Sequence, residues 1–261
     1  LMRVKDITEI IEWEIPLDKA LEWDNPGLLV GDEDAQVERV YLALDATDGV
    51  IARAKDAGAQ LILTHHPLIF SGIKNVTEST FTGRRIRELI RSGISCYAMH
   101  TNFDVCVMGK LATGKLGLQQ PRVLEPCGAD GDSGIGSVGM LPEEMSLEEL
   151  AKATAEAFGI SHVKVFGDAG AKVKRAAICP GSGRSTLKYA LAQQADVYIT
   201  GDIDHHTGID AVAAGMAVID AGHYGIEHIY TAYMKAFLEK RIPELKVTEE
   251  PFEEPFWIGG V

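Results

Sequence analysis

The chain has 261 residues, of which 46% are hydrophobic and 24% charged, a composition typical of a globular protein. Its 25 Lys and Arg residues against 38 Asp and Glu residues give a net charge of −13. This acidity argues against duplex nucleic acid as a partner. The length fits two domains or one large one, and no apolar run approaches the roughly 18–20 residues that a membrane span requires.

The positions of the basic residues, the cysteines and the first acidic residues narrow the class of protein further. One basic cluster has the spacing of a solvated helix face: Arg84, Arg85, Arg87 and Arg91. The four cysteines form no CxxC pair, which excludes a zinc ribbon or a thioredoxin-type site. The acidic segment 1–15 lacks the apolar core of a signal peptide, so we expect a cytoplasmic protein with no membrane partner.

The first half of the chain alternates between helix-like and strand-like stretches. In chain order, we predict a helix at 4–14, a strand at 37–44, a helix at 50–57, a strand at 60–64, a helix at 82–92 and a strand at 94–99. Continuous apolar strands separated by helices indicate a parallel sheet covered on both faces.

The second half follows the same plan after a Gly- and Asp-rich stretch, 125–139, that we interpret as a loop or linker. The predicted elements are a helix at 146–158, capped by Ser146, and then strands at 163–166, 173–179, 197–200 and 217–220, with helices at 185–193 and 208–214. We expect Gly181-Ser182-Gly183 to open the helix at 185–193.

The spacing of the two halves suggests an internal duplication. Leu44 precedes Thr64 by 20 positions, and Cys179 precedes Thr200 by 21. Each half also ends in a His followed four residues later by an acidic residue. We therefore predict an α/β protein with a β-α-β-α-β unit used twice, although any α/β protein can show comparable spacing. The expected lobes are 1–125 and 126–261, with the C-terminal segment packing back on the first.

Histidines and carboxylates follow the predicted strands. His65 and His66 come directly after the strand at 60–64, and ligands in α/β sheets collect at the carboxyl ends of strands. His100 and Asp104 follow the next strand, where we expect Asp104 in a loop. Imidazole and carboxylate without thiolate suit zinc, iron or manganese.

The second half carries the matching groups. His223 and Glu227 are four residues apart on a predicted helix, so both can bind one centre. Asp202 occupies the place of the His65-His66 pair in the repeat and is either a cavity-lining residue or a loop cap. The N–H groups of Gly181-Ser182-Gly183 are either an anion cradle or a structural turn.

Four stretches of the sequence together resemble the NIF3-like (DUF34) proteins, the GTP cyclohydrolase 1 type 2 homologues. They are Trp-Asp-Asn-Pro-Gly at 23–27 with its continuation to 31, Leu-Thr-His-His-Pro at 63–67 with its continuation to 70, the glycine-rich stretch from 181 to 202, and Asp-Ala-Gly-His at 220–223 with Glu227. The resemblance runs from about residue 7 to the C-terminus.

This resemblance implies a two-lobed fold, a dinuclear metal centre between the lobes and a toroidal homohexamer. By the family pattern, His66 and Asp104 would hold one divalent ion, zinc, iron or manganese. His65 and His223 would hold the other, and Glu227 would bridge both.

The family also implies a reaction on a nucleotide-like small molecule. That reaction is hydrolytic opening of the imidazole ring of GTP by metal-bound hydroxide, with formate released. His100 and His228 are candidate proton shuttles, since imidazole titrates near neutral pH. Two alternatives remain: a metal-dependent phosphoesterase, and a non-enzymatic protein that handles metal or cofactor.

Overall fold

A computed structural model describes residues 2–128, 131 and 133–259. Its strands, in chain order, are β1 (Met2–Arg3), β2 (Gly27–Val30), β3 (Gln36–Val37), β4 (Arg39–Ala43), β5 (Leu61–Thr64), β6 (Ser95–Ala98), β7 (Gln119–Pro126), β8 (Gly134–Ser146), β9 (Lys164–Phe166), β10 (Lys172–Ser182), β11 (Val197–Gly201), β12 (Ala217–Asp220) and β13 (Lys246–Glu249). The α/β class predicted from the sequence is confirmed.

The helices connect these strands and cover the sheets. They are α1 (Val4–Glu14), α2 (Asp48–Asp56), α3 (Phe81–Ser92), α4 (Thr101–Phe103), α5 (Gly109–Leu116), α6 (Leu147–Phe158), α7 (Leu187–Ala192), α8 (His205–Ala213), α9 (His223–Glu227) and α10 (Ile229–Arg241). A short 3₁₀ turn spans Leu17–Lys19, and a π-helical turn spans Asp104–Met108. In the part of the chain that the structure covers, no helix has the length and apolarity to span a membrane.

The chain divides into two compact units. The first contains the chain up to Phe103 together with Tyr230–Phe252, and the second contains Asp104–Ile229 and the chain from Glu253 onward. A boundary after residue 125 would instead fall within β7, inside the second unit.

The first unit is built on a five-stranded sheet in the order β13-β4-β5-β6-β2. Strands β13, β4, β5 and β6 are parallel, and β2 closes the edge in the antiparallel direction. All four residues of β5 are buried, as expected for a strand covered on both faces. The α2 residues Val50, Ile51 and Ala54 pack in one core cluster with Ile86 of α3.

The second unit contains a six-stranded sheet in the order β7-β8-β10-β11-β12-β9. Its central strands β10, β11 and β12 are parallel, while β7, β8 and β9 run antiparallel to their neighbours. Alternate residues of β10 face opposite cores: Ile178 lies in the cluster that contains α6, and Ala177 lies in the cluster that contains α7 and α8. Helices therefore cover both faces of this sheet.

Both units contain three consecutive parallel strands joined by helices, β4-α2-β5-α3-β6 and β10-α7-β11-α8-β12. An antiparallel strand lies beside the last strand of each set. This arrangement agrees with the repeated spacing in the sequence, and common origin by duplication stays a prediction.

Two sequence-based predictions of local structure are wrong. The 125–139 stretch contains the last two residues of β7 and the first six of β8, and the predicted loop residues 129, 130 and 132 lie outside the described residues. Gly and Asp suggest a loop, but pairing with β7 and β10 holds the β8 residues extended. Gly181-Ser182-Gly183 does not open a helix, because β10 continues to Ser182 and α7 begins at Leu187.

The basic cluster lies on α3, as predicted, and acidic side chains lie close to it. Arg85 pairs with Asp48 at 3.1 Å, and Arg87 and Arg91 lie 3.2 and 3.6 Å from the carboxylate of Glu78. These carboxylates offset the positive charge of the helix face.

Two helical glycines give a matched test of the packing in the second unit. A Cβ on Gly208 of α8 would lie 2.3–2.5 Å from ring carbons of Phe166, whereas one on Gly114 of α5 would meet open space. We expect Gly208→Ala to lower the free energy of unfolding by about 1–3 kcal/mol through overpacking. Gly114→Ala should raise it by about 0.5–1 kcal/mol through helix propensity. Urea unfolding midpoints measure both changes, and equal shifts would contradict the packing described here.

Candidate metal centre

Three imidazoles meet at one edge of the first unit's sheet. His65 and His66 directly follow β5, and His100 follows β6 two residues after that strand ends. These strands are parallel neighbours with Thr64 opposite Ala98, so their carboxyl ends lie side by side. One ring nitrogen from each His lies within 4.8 Å of the others. Such a group can hold a metal ion.

Each of these imidazoles is fixed through its Nδ1 atom. His65 Nδ1 donates to the Met99 carbonyl at 2.8 Å, and His66 Nδ1 donates to Asp45 at 2.9 Å. His100 Nδ1 donates to Asp24 at 2.8 Å. Because carbonyl and carboxylate oxygens can only accept a hydrogen bond here, the ring proton lies on Nδ1, and the neutral tautomer leaves the Nε2 lone pair available. This is the arrangement by which proteins orient metal-ligating imidazoles.

Asp24 is a buried carboxylate within the Trp-Asp-Asn-Pro-Gly motif, and the sequence predicted no role for it. Its side chain is fully buried and also accepts hydrogen bonds from the Thr101 backbone N–H and hydroxyl. Burial alone would raise its pKa, but the hydrogen bonds from His100 and Thr101 outweigh that effect and lower the pKa to about 2. Asp24 therefore stays charged at neutral pH and holds the His100 ring in place.

The second unit contributes a His and a carboxylate from α9. His223 Nε2 and Glu227 Oε2 lie 3.0 Å apart, one helical turn from each other, as the i, i+4 spacing predicted. On the other side of the ring, His223 Nδ1 lies 2.7 Å from Asp202 Oδ2. Asp202 has a left-handed backbone with φ of 57°, directly after β11. It thus supports His223 in the way that Asp24 supports His100.

Two glycines of the second unit make room for this pair. A Cβ on Gly181 would lie 2.3 Å from Glu227 Oε1, and one on Gly201 would lie 2.7 Å from the backbone nitrogen of His223. The close approach of β10 and β11 to α9 therefore requires glycine at both positions. This observation favours the structural interpretation of the glycine-rich stretch over an anion cradle.

Asp104 lies at the start of the π-helical turn rather than in a loop, which corrects the prediction for its backbone. A carboxylate oxygen of Asp104 lies within 4.8 Å of one of Glu227. Burial raises the pKa of the nearby Cys179 thiol to about 12; hydrogen bonding by Thr186 opposes the rise, and the charge of Asp104 adds to it. The groups that lie together around Glu227 thus offer imidazole nitrogen and carboxylate oxygen atoms.

The matching family model is described as Duf34/NIF3 (NGG1p interacting factor 3) and covers residues 2–254. The chain belongs to the DUF34/NIF3 family. A curated member of this family from Clostridium perfringens, named GTP cyclohydrolase 1 type 2 homolog, is 34% identical over 260 residues. That alignment covers 97% of this chain and 99% of the relative.

Solved structures show the same DUF34/NIF3 fold. A hypothetical protein from Staphylococcus aureus superposes with a TM-score of 0.89 at 29% identity, covering 98% of this chain and 99% of that one. Reduced HcgD from Methanocaldococcus jannaschii superposes with a TM-score of 0.82 at 32% identity, covering 96% and 98%. The family resemblance read from the sequence motifs is confirmed.

The predicted site residues form two groups, one in each unit. His65, His66 and His100 form one group, and Asp104, His223 and Glu227 form the other. His228 directly follows α9, with its ring 5.4 Å from that of Tyr224. The shuttle roles of His100 and His228 stay predictions. Sequence reasoning missed Asp24 and Asp45, whose partners lie 76 and 21 positions away.

The support of His223 by Asp202 can be tested by one substitution. We expect Asp202→Asn to lower the affinity for Co²⁺ or Zn²⁺ by roughly 10-fold, since the loss of an outer-shell carboxylate typically costs 10–100-fold. Asn tolerates the left-handed backbone at this position, which keeps the loop unstrained. Asp210→Asn, an equal charge change on an exposed position of α8, is the control. Equal affinities in the two variants would show that Asp202 does not support a ligand.

Proposed function

We propose that this DUF34/NIF3 protein is a metal-dependent hydrolase of a nucleotide-type substrate, with opening of the guanine imidazole ring of GTP as the specific reaction. One observation carries the metal dependence. His65, His66, His100 and His223 each have Nδ1 held by an oxygen acceptor, so each can present Nε2 as a ligand. The nucleotide substrate is supported by the name shared by the curated relatives.

The proposed ligands are the five residues that match the family pattern. His66 and Asp104 would hold one ion, His65 and His223 the other, and Glu227 both. Nitrogen and carboxylate oxygen donors fit zinc, iron or manganese. Bound ions of this kind supply Lewis acidity and lower the pKa of water.

The side chains around these ligands fix the geometry before substrate arrives. Asp45 and Asp202 keep His66 and His223 in the tautomer that binds metal, and Gly181 leaves space for the Glu227 carboxylate. His100 lies in the same group of imidazoles as His65 and His66 but is not one of the five proposed ligands, so it is the first candidate for proton transfer. His228 is the second candidate for proton transfer.

Product analysis tests the proposed reaction. The protein is purified without oxygen, its metal content is measured, and it is incubated with GTP at defined occupancy of manganese, iron or zinc. Release of formate supports ring opening, and release of inorganic phosphate or nucleoside monophosphate supports the phosphoesterase alternative. If metal binds but neither product forms, the hydrolase proposal is wrong, and metal or cofactor handling is the remaining function.

In the same experiment, Glu227→Gln should lower the occupancy of both metals and abolish product formation. The neutral amide removes negative charge from between two cations and so raises their mutual repulsion. His66→Ala should lower mainly one occupancy, and Glu239→Gln, on an exposed position of α10, is the charge-matched control. Two metals per subunit at normal affinity in Glu227→Gln would mean that another carboxylate bridges.

We further propose that the protein assembles as a homohexamer, as the family resemblance implies. Multi-angle light scattering should then give a mass six times that of the 261-residue chain. The mass should stay constant over micromolar concentrations, because a closed ring leaves no free interface. A stable monomer throughout this range would contradict the proposal.

A further inference from the structure

Two large aromatic side chains lie exposed beside the imidazole group of the first unit. Trp23 is 58% exposed and Phe70 is 53% exposed, and their ring centroids are 5.8 Å apart. The same rings lie 6.0 and 6.2 Å from the centroid of His100. We call Trp23 and Phe70 the aromatic platform. The two ring planes are inclined at 53° to each other. Contiguous exposed apolar surface of this kind marks a binding site.

Hydrogen bonds hold the platform in register with the imidazoles. Asp24, the neighbour of Trp23, accepts from His100 Nδ1 and from the Thr101 backbone. Asn25 donates from its side-chain amide to the carbonyl of Ile69, the neighbour of Phe70, at 2.6 Å. Three consecutive residues thus link the aromatic rings to the imidazole group.

A cavity of about 500 Å³ opens next to the platform. Its lining includes both His66 and Phe70, so it joins one ring of the platform to the imidazole group. Other walls come from Phe81 and Arg85, with the Arg85 guanidinium 5.0 Å above the Phe81 ring. The volume lies within the range of pockets that bind small molecules.

We infer that the aromatic platform stacks the planar base of a purine nucleotide and holds it next to His100. His100 lies 5.4 Å from His65 and 5.7 Å from His66, ring centroid to ring centroid. A base stacked on the platform would therefore lie beside His100, whose ring in turn lies beside those of His65 and His66. Stacking accepts any flat heteroaromatic ring without a hydrogen-bonding code, so the platform supplies affinity and position, while neighbouring polar groups supply the choice of base.

This inference rests on the proposed nucleotide substrate, but its test does not depend on turnover. Two probes that differ only in the base, guanosine monophosphate and ribose 5-phosphate, are titrated into the full-length protein by calorimetry. Trp23→Leu and Phe70→Leu are compared with Trp13→Leu, which changes a Trp that is 84% exposed on α1. Metal content and oligomeric mass are measured for every variant.

We expect Trp23→Leu to weaken guanosine monophosphate binding by 10-fold or more, given the usual contribution of stacking on an aromatic side chain. Phe70→Leu should act in the same direction, whereas Trp23→Phe should retain most of the affinity. Binding of ribose 5-phosphate and metal content should stay within about 2-fold of the parent protein, as should all values for Trp13→Leu.

Three results would overturn the inference. The first is a parent protein that binds guanosine monophosphate no better than ribose 5-phosphate. The second is an equal loss of affinity for both probes in Trp23→Leu. The third is a change of oligomeric mass in Trp23→Leu, which would make the platform a contact between copies of this chain. Base-dependent binding without release of formate would support the platform and reject only the proposed hydrolysis.

Discussion

The hydrogen bond between each imidazole Nδ1 and an oxygen acceptor is the interaction on which the candidate site residues depend. An imidazole that rotates freely and exchanges its proton between two nitrogens is a weak ligand, because one tautomer and one orientation must be selected when metal binds. Here the Met99 carbonyl and the carboxylates of Asp45, Asp24 and Asp202 make that selection in the folded chain. For Asp24 this role requires a buried carboxylate that stays charged, and its own hydrogen bonds keep it so.

Parallel pairing of strands brings these groups together. His65 and His66 follow β5 and His100 follows β6, and the parallel register places both strand ends on one edge. In the second unit, Asp202 follows β11 and His223 follows β12, again in parallel neighbours. A parallel sheet collects the residues that follow its strands, which is why ligand sites in α/β proteins form there. Antiparallel pairing would have separated these residues by the length of a strand.

Small side chains shape the candidate ligand group of the second unit, and exposed aromatic side chains lie beside that of the first. Gly181 and Gly201 allow β10 and β11 to approach α9 so closely that any side chain would displace Glu227 or the backbone of His223. Trp23 and Phe70 are instead exposed to solvent beside His100, and they give the first unit an apolar surface next to its imidazole side chains. Within the first unit, segment 23–25 joins the aromatic rings to the imidazoles, because its three side chains contact Phe70, His100 and the loop after His66.

The sequence alone determined the three consecutive parallel strands of each unit, the helices between them and the type of chemistry. It gave no prediction for β2, β7, β13, α5 or α10. Apolar runs such as Leu61–Thr64 identify buried strands, and a His or acidic residue after such a run identifies a candidate ligand. Periodicity is local, so it could not show that Asp24 pairs with His100 or that Asp202 pairs with His223, contacts that span 76 and 21 positions. The Gly and Asp content of 125–139 wrongly predicted a loop at the start of β8, because pairing with β7 and β10 overrides the local preference. Only the tertiary structure decided which acidic residues support the imidazoles, because that choice depends on which strands become neighbours.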